Sequence, residues 1–543
     1  MKLTFQSIFN ETVTKYGDCN AFAFAGEKPK TFNEVAKEIR ALIALLEKLG
    51  IAPGDRVAIL ALNSPNWGPA FFAVTFMGAV AVPILPDFSP TEVANVLSHS
   101  GARAIFISGQ LLPKLEGDQP EDLKSIVIIE DYTVSGRDND HPVFDPGAVP
   151  AGNYGAGEED LASIIYTSGT TGRSKGVMLT HRNISSNALK GHTIQHITEK
   201  DRFLSVLPLS HTYENTLGLI LPVSAGSCVY YLRKPPTPSV LLPALAEVKP
   251  TMMLSVPLIM EKIYFNKIRP QFTDNLLLRN LYRIPPIRKK LNALAGKKLL
   301  RTFGGELKFF GIGGAKLNKS VEQFLIEARF PYAIGYGLTE TSPLLAGTSA
   351  GKAVLDSTGP AIEGVELRIN DPDRSTGEGE IWARGENVMK GYYHDPELTA
   401  QVITPDGWFR TGDLGTFDSN NNLYIKGRLK NMIVGASGEN IYPEEIESVI
   451  NNFRFVVESL VIQQKGKLVA YVHLNMEELE KKYHTLRQDM AKQYEEKKEE
   501  LLAELKDYVN SKVSKFSQIN KVVFQPVPFQ KTATLKIKRF LYT

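Results

Sequence analysis

The chain has 543 residues, 43% of them hydrophobic, with 62 Lys and Arg against 59 Asp and Glu. That length asks for at least two domains, the apolar content excludes disorder over most of the chain, and a formal charge of +3 excludes a field strong enough to define a nucleic-acid or acidic partner. Two cysteines, Cys19 and Cys228, are too few for a disulfide framework or a cysteine zinc site, which fits a reducing compartment; the cytoplasm is the expected location.

The N-terminal MKLTFQSIFNETV (1–13) lacks the apolar core of a signal peptide. Helical spacing over TFNEVAKEIRALIALLEKLG (31–50) predicts a helix closing on Gly50, and RVAILAL (56–62) reads as the strand after it. AFFAVTFMGAVAVPIL (70–85) is the longest apolar run; it falls short of the ~20 residues that span a bilayer and reads as a buried helix entering a strand. The helix-then-strand order recurs in EVANVLSHSG (92–101) with ARAIFISG (102–109), and in VLLPALAEVKP (240–250) with TMMLSVP (251–257). The bulk is therefore α/β with largely buried parallel strands.

Short strand-like pieces, GVELRIN (364–370), GEIWARG (379–385) and NNLYIKG (421–427), predict a small antiparallel or barrel-like β subdomain. A second unit starts after Gly427, with an amphipathic helix at EEIESVINNF (444–453) and a strand pair at SLVIQQ (459–464) and KLVAYVHL (467–474). The Glu- and Lys-rich stretch 477–515 reads as a solvated helix or helical hairpin, with no sustained heptad for a coiled-coil partner.

The densest chemical motif is YTSGTTGRSKG (166–176), after the strand-like LASII (161–165) and before VMLTHRNI (177–184), which can start a helix. Its hydroxyls, glycines and lysine suit phosphate oxygens, although a plain surface loop has the same composition. It is not a Walker A loop. His192 and His196 have the i, i+4 spacing of zinc ligands, but HExxH is absent and no third ligand stands out.

YTSGTTGRSKG resembles the signature loop of the adenylate-forming superfamily, which includes acyl-CoA synthetases, peptide-synthetase adenylation domains and luciferases. Six more segments match in the same order: LPLSHTYE (207–214), GIGGAKL (311–317), GYGLTETSP (335–343), GWFRTGDLG (407–415), GRLKNMIVGASGENIYPEEIE (427–447) and TATLKIKR (532–539). The resemblance implies a fold of layered α/β subdomains with a small barrel-like β subdomain over residues 1–427, and a mobile α+β domain over 428–543 hinged at Lys430. It implies ATP contacts from Thr167, Ser168, Gly169, Thr170, Thr171, Gly172, Gly313, Gly314, Ala315, Tyr336, Gly337, Thr339, Asp413 and Arg428. Thr167 and Glu340 are the implied Mg2+ ligands, and Lys536, His211 and Lys175 the implied catalytic residues.

In LPLSHTYE, His211 is either a packed core histidine or, by resemblance, part of the acyl tunnel wall. TATLKIKR has Leu535 where the family usually has Gly, a departure that favours the long-chain acyl-CoA synthetases; Lys538 and Arg539 compete with Lys536 for the role. The implied activity is conversion of a medium- to long-chain fatty acid to acyl-AMP, then transfer to CoA. A fatty acyl-AMP ligase, an acyl-acyl carrier protein synthetase and a non-catalytic nucleotide-binding regulator are the alternatives. No nucleic-acid partner is implied, and membrane contact is at most peripheral.

Overall fold

The structure, a computed structural model, describes residues 2–117, 119–136, 142–168, 174–434, 440–464, 466–476, 479, 490–532 and 537–542. The helix expected at 31–50 spans Phe32–Lys48. It starts where the Thr31 hydroxyl accepts from Glu34 N while the Glu34 carboxylate accepts from Thr31 N, a reciprocal cap. The apolar run expected to bend from helix to strand does so. Helix Trp67–Phe76 is buried at every position and strand Val80–Pro83 follows, because Gly78, with a φ of 79°, turns the chain between them.

Two eight-stranded sheets dominate. The first runs, from one edge, Leu344–Gly347, Tyr332–Gly337, Phe309–Ile312, Met252–Ser255, Arg202–Leu204, Cys228–Tyr231, Asn20–Phe24 and Lys30–Thr31. Its six inner strands are parallel and both edges antiparallel. The second has a parallel centre of Val80–Pro83, Arg56–Leu60 and Ala104–Ile107. One continuous core, including Phe22 and Tyr231 from the first sheet and Val57 and Ala81 from the second, joins them.

Strands Val365–Asn370, Gly379–Gly385, Phe409–Phe417 and Leu423–Arg428 form the antiparallel subdomain expected at 364–427. Against the barrel-like expectation, the sheet stays open: its edge strands do not pair among the described residues. Four strands enclose too little interior to hold side chains.

After Arg428, helix Pro443–Ile450 and the hairpin Val456–Gln464 with Lys467–Leu474 form as expected, joined in parallel by Lys521–Phe524. They bury their own core with helix Met490–Asn510 of the charged stretch. Polar contacts seat this unit on the rest. Tyr442 OH donates to Glu378 at 2.7 Å, and Ser320 Oγ donates to Asn452 at 2.8 Å.

Candidate active site

The residues flanking the glycine-rich loop lie in a different local setting from the strand-to-helix turn expected there. Strand Leu161–Ser168 pairs antiparallel with Ser174–Thr180, setting Thr167 opposite Lys175, and the helix begins only at His181, capped by Thr180. VMLT is strand because alternate residues there bury against the sheet, which local turn composition does not foretell. Ser168 ends the first strand; Gly169, Thr170, Thr171 and Gly172 lie outside the described residues, as do Lys536 and most of the GASGEN loop (435–440).

Lys175 is tied to a residue that sequence reasoning missed. The two-residue strand Gly391–Tyr392 pairs with the same edge, placing Tyr392 opposite Val177 and thus on the face that Lys175 shares. Lys175 Nζ lies 5.2 Å from the centre of the Tyr392 ring, and Tyr392 OH donates to Glu340 Oε1 at 2.9 Å. Burial, followed by the Glu340 charge, pushes the Tyr392 phenol above its usual range, so it stays a donor. GYYHDPE (391–397) carries no phosphate or metal signature; only sheet pairing reveals Tyr392.

Strand Tyr332–Gly337 of the first sheet carries Tyr336 at its carboxyl end, where open parallel sheets bind ligands. Tyr336 OH donates to Asp413 Oδ2 at 2.7 Å, while Arg428 Nε forms an ion pair with Asp413 Oδ1 at 2.9 Å. Residues fifteen apart in the chain meet because Asp413 and Arg428 stand opposite each other in the antiparallel sheet. Desolvation and then the Asp413 charge push the Tyr336 phenol well above its usual range. Burial opposes the Arg428 charge, but Asp413, Tyr336, Glu340 and Glu444 together outweigh it and raise the guanidinium. Tyr336 and Arg428 approach different Asp413 oxygens, and a carboxylate oxygen can accept more than one bond, which is compatible with a ribose diol.

Gly337 has a reason in the fold besides the ligand approach expected of it. A Cβ there would lie 1.9 Å from the Pro343 carbonyl oxygen, so the chain's own return demands glycine. Gly313 is buried under the Tyr213 ring, whose carbons would lie 3.2 Å from an added Cβ, while Gly314 and Ala315 are exposed. Thr339 and Glu340 form a short 3-10 turn pinned by Asn387, whose amide donates to Thr341 O at 2.8 Å. Lys430 lies exposed in the turn after Arg428.

His211 caps the turn Thr212–Glu214, its Nδ1 accepting from Tyr213 N at 3.2 Å, which leaves the proton of the neutral ring on Nε2. Asn63, another missed residue, holds this segment: it donates to Leu207 O at 2.6 Å and accepts from Leu209 N at 2.9 Å. Asn63 also donates to Ser205 Oγ, which donates to the buried Glu214 at 2.6 Å. Burial pushes the Glu214 carboxyl from an ordinary 4.5 up to about 8, with the Ser205 bond opposing. The folded chain therefore holds a proton that the unfolded chain has lost between those values. The contribution to stability is complete below pH 4.5 and lost as pH rises to about 8. Glu214→Gln should match the wild type in acid and raise the thermal midpoint by about 2 °C or more at pH 8, measured by scanning fluorimetry across pH.

The zinc alternative finds no support: His192 Nε2 lies 3.0 Å from Ser224 Oγ, and no trio of metal-ligating residues gathers among the described residues. Glu340 fits the Mg2+ role. It is a hard oxygen donor with Oε2 uncommitted among the described residues, and Mg2+ is commonly held by one carboxylate together with substrate phosphates and water.

Beside Tyr336 opens an apolar cavity lined by Ala333, Ile334 and Gly335 of the same strand, by Met252, Leu254 and Gly311 across the sheet, and by Ile194, Leu217 and Leu221 from the helical side. Among the described residues, no charged side chain lines it. One strand thus passes from an apolar cavity to a Tyr–Asp–Arg cluster in a single residue step, and a family model described as AMP-binding enzyme matches residues 9–393. The chain belongs to that family. Among the relatives of this AMP-binding enzyme, long chain acyl-CoA synthetase 7, peroxisomal, of Arabidopsis thaliana is 30% identical over 494 residues, covering 82% of this chain and 69% of the relative. Long-chain-fatty-acid–CoA ligase FadD15 of Mycobacterium bovis is 30% identical over 469 residues, covering 80% and 75%. The solved anthranilate CoA ligase AuaEII with anthranoyl-AMP has a TM-score of 0.78 at 24% identity, covering 100% of this chain and 98% of that one, a likeness of fold. This AMP-binding enzyme is an ATP-dependent, adenylate-forming acyl-CoA ligase. Among the described residues no helix is long and apolar enough to cross a membrane.

Proposed function

We propose that this enzyme activates a medium- to long-chain fatty acid as acyl-AMP and passes the acyl group to CoA, releasing AMP and pyrophosphate. The observation that carries this reading is the continuity of the uncharged cavity with Tyr336: an apolar tail in the cavity puts its carboxylate beside the nucleotide residues. The names of the long-chain relatives support it.

In this reading Asp413 accepts from the ribose hydroxyls and Tyr336 offers its ring face to the base. Thr167, Ser168, Gly169, Thr170, Thr171, Gly172 and Thr339 contact the phosphates, and Gly313, Gly314 and Ala315 border adenine. Thr167 and Glu340 hold Mg2+, which when bound offsets phosphate charge. A carboxylate expels oxide poorly, so its oxygen attacks the α-phosphorus and pyrophosphate leaves with the bonding pair. Lys175 and Lys536 stabilise the charge gathered on the phosphate oxygens, and His211 borders the reacting carboxylate. Residues 428–543 then turn about Lys430, withdrawing Lys536, and the CoA thiolate attacks the mixed anhydride with AMP as leaving group.

Pyrophosphate release should depend on added fatty acid, and mass spectrometry should find the thioester with CoA. A thioester only with acyl carrier protein, or acyl-AMP alone, points to the other acceptors; no release with any acid from octanoate to stearate sinks the reading. The cavity adds an internal check. A Cβ on Gly347, another lining residue, would lie 3.2 Å from Ile194 Cδ1. Gly347→Val should lower kcat/KM for palmitate by about tenfold or more while sparing octanoate, the scale at which pocket methylenes discriminate.

A further inference from the structure

The connection between two cavity-lining strands, Met252–Ser255 and Phe309–Ile312, carries a charge unlike that of the rest of the chain. Residues 257–302 hold eleven of the 62 Lys and Arg but only Glu261 and Asp274 of the 59 acids, so the remainder of the chain is net acidic. Nine of those cations are exposed, and none of the nine has a carboxylate within ion-pair distance among the described residues. The two others are engaged elsewhere: Arg288 pairs with Glu327 at 2.8 Å, and Arg269 donates to Asn452 O.

Large apolar side chains stand exposed among them. Leu276 and Leu277 open the short helix Leu276–Tyr282 at 67% and 70% exposure, and Leu294, on helix Pro285–Thr302, is 64% exposed. Lys290, Lys297 and Lys298 lie four before, three after and four after Leu294, so a leucine ringed by lysines projects from one helical face. The opposite face is committed to the fold: a Cβ at Gly296 would lie 2.4 Å from Ala328 O, and Tyr282 OH donates to Asn292 Oδ1 at 2.8 Å.

We propose that 257–302 is a docking surface for anionic lipid bilayers, in which the basic residues meet headgroup phosphates while Leu276, Leu277 and Leu294 enter the headgroup boundary. Leucines flanked by lysine and arginine are the composition of interfacial helices, and clusters of such cations bind negatively charged leaflets. A single-stranded nucleic acid would ask for exposed rings on which bases stack. Here Phe272 instead stacks on Tyr282 at 5.0 Å and Tyr264 packs on Phe324 at 5.2 Å, turning these rings inward. The surface stands on the far side of the sheet from the cavity: Met253 faces the core it shares with Met260, Tyr264 and Leu299, while Met252 and Leu254 face the cavity. An apolar acid partitions into a bilayer, so docking by this connection keeps the enzyme where such an acid concentrates.

Sedimentation of the full chain with vesicles tests the proposal without reference to activity. The wild type should pellet with vesicles of phosphatidylcholine mixed with phosphatidylglycerol, not with phosphatidylcholine alone, and should be released by high salt. The combined variant Lys289→Glu, Lys290→Glu, Lys297→Glu and Lys298→Glu should lose more than about tenfold in affinity, since each cation near an anionic surface contributes a several-fold gain. Leu276→Asp with Leu277→Asp and Leu294→Asp should also weaken binding. Circular dichroism and thermal midpoints confirm that the variants fold. Equal sedimentation with both vesicle types, vesicle binding by the charge-reversal variant equal to wild type, or retention by heparin or RNA with inert vesicles would each overturn the proposal.

Discussion

Lys536→Ala should slow formation of acyl-AMP by about 10²–10³-fold, the cost of removing one preorganised donor from a developing oxyanion, while CoA transfer from synthetic acyl-AMP stays close to wild type. The split is expected because Lys536 serves only the first step in the proposed reaction. Its flanks are well anchored. Lys531 bridges to Ile537, Lys531 pairs with Glu458, and Arg539 pairs with Glu447, whose carboxyl burial pushes up to about 7 against the opposing charge of Arg539. Arg539 is thereby engaged in holding this segment, which favours Lys536 over it in the proposed reaction. Pyrophosphate release and thioester formation, assayed separately, give the two rates. Equal loss of both would transfer the role to Lys538.

Asp413→Asn should lower kcat/KM for ATP by about tenfold to a hundredfold, the equivalent of one charge-assisted hydrogen bond at about 1.5–3 kcal/mol. The amide keeps the shape and one acceptor for Tyr336 OH. It loses the charge that Arg428 faces at 2.9 Å and the full acceptor capacity for a ribose diol. Loss of the charge leaves the Arg428 guanidinium without its counter-ion, so the thermal midpoint should also fall. Steady-state kinetics against ATP at saturating acid, with scanning fluorimetry on the same samples, measures both. An unchanged KM for ATP would place the nucleotide elsewhere.

Much of this site was legible because its chemistry is local in the chain. A glycine-rich loop, a Thr-Glu pair after a strand and a Thr-Gly-Asp turn are each a few contiguous residues, and their order along 370 or so positions carries the family resemblance. Tyr392, Asn63 and Asn387 were not legible. Each acts across the fold, Tyr392 by pairing its short strand beside Lys175 and Asn63 by holding a segment more than 140 residues away. The setting of the signature loop's flanks was not legible either, because turn-forming composition is compatible with a strand-to-helix turn and with a hairpin; only pairing of 161–168 with 174–180 separates them.

The sequence by itself determined the alternation of helix and strand, the buried character of 70–85, the order of the nucleotide motifs and the change of pattern after Gly427, since periodicity, capping and motif chemistry act over a few residues. Tertiary structure alone decided that Asp413 faces both Tyr336 and Arg428 and that Glu340 meets Lys175 through Tyr392. It alone made a cavity from the neighbours of Tyr336, left the four-stranded sheet open and turned the basic connection outward. Those features depend on strand order, register and the side of the sheet that each crossover takes, which residues far apart in the chain settle jointly through burial.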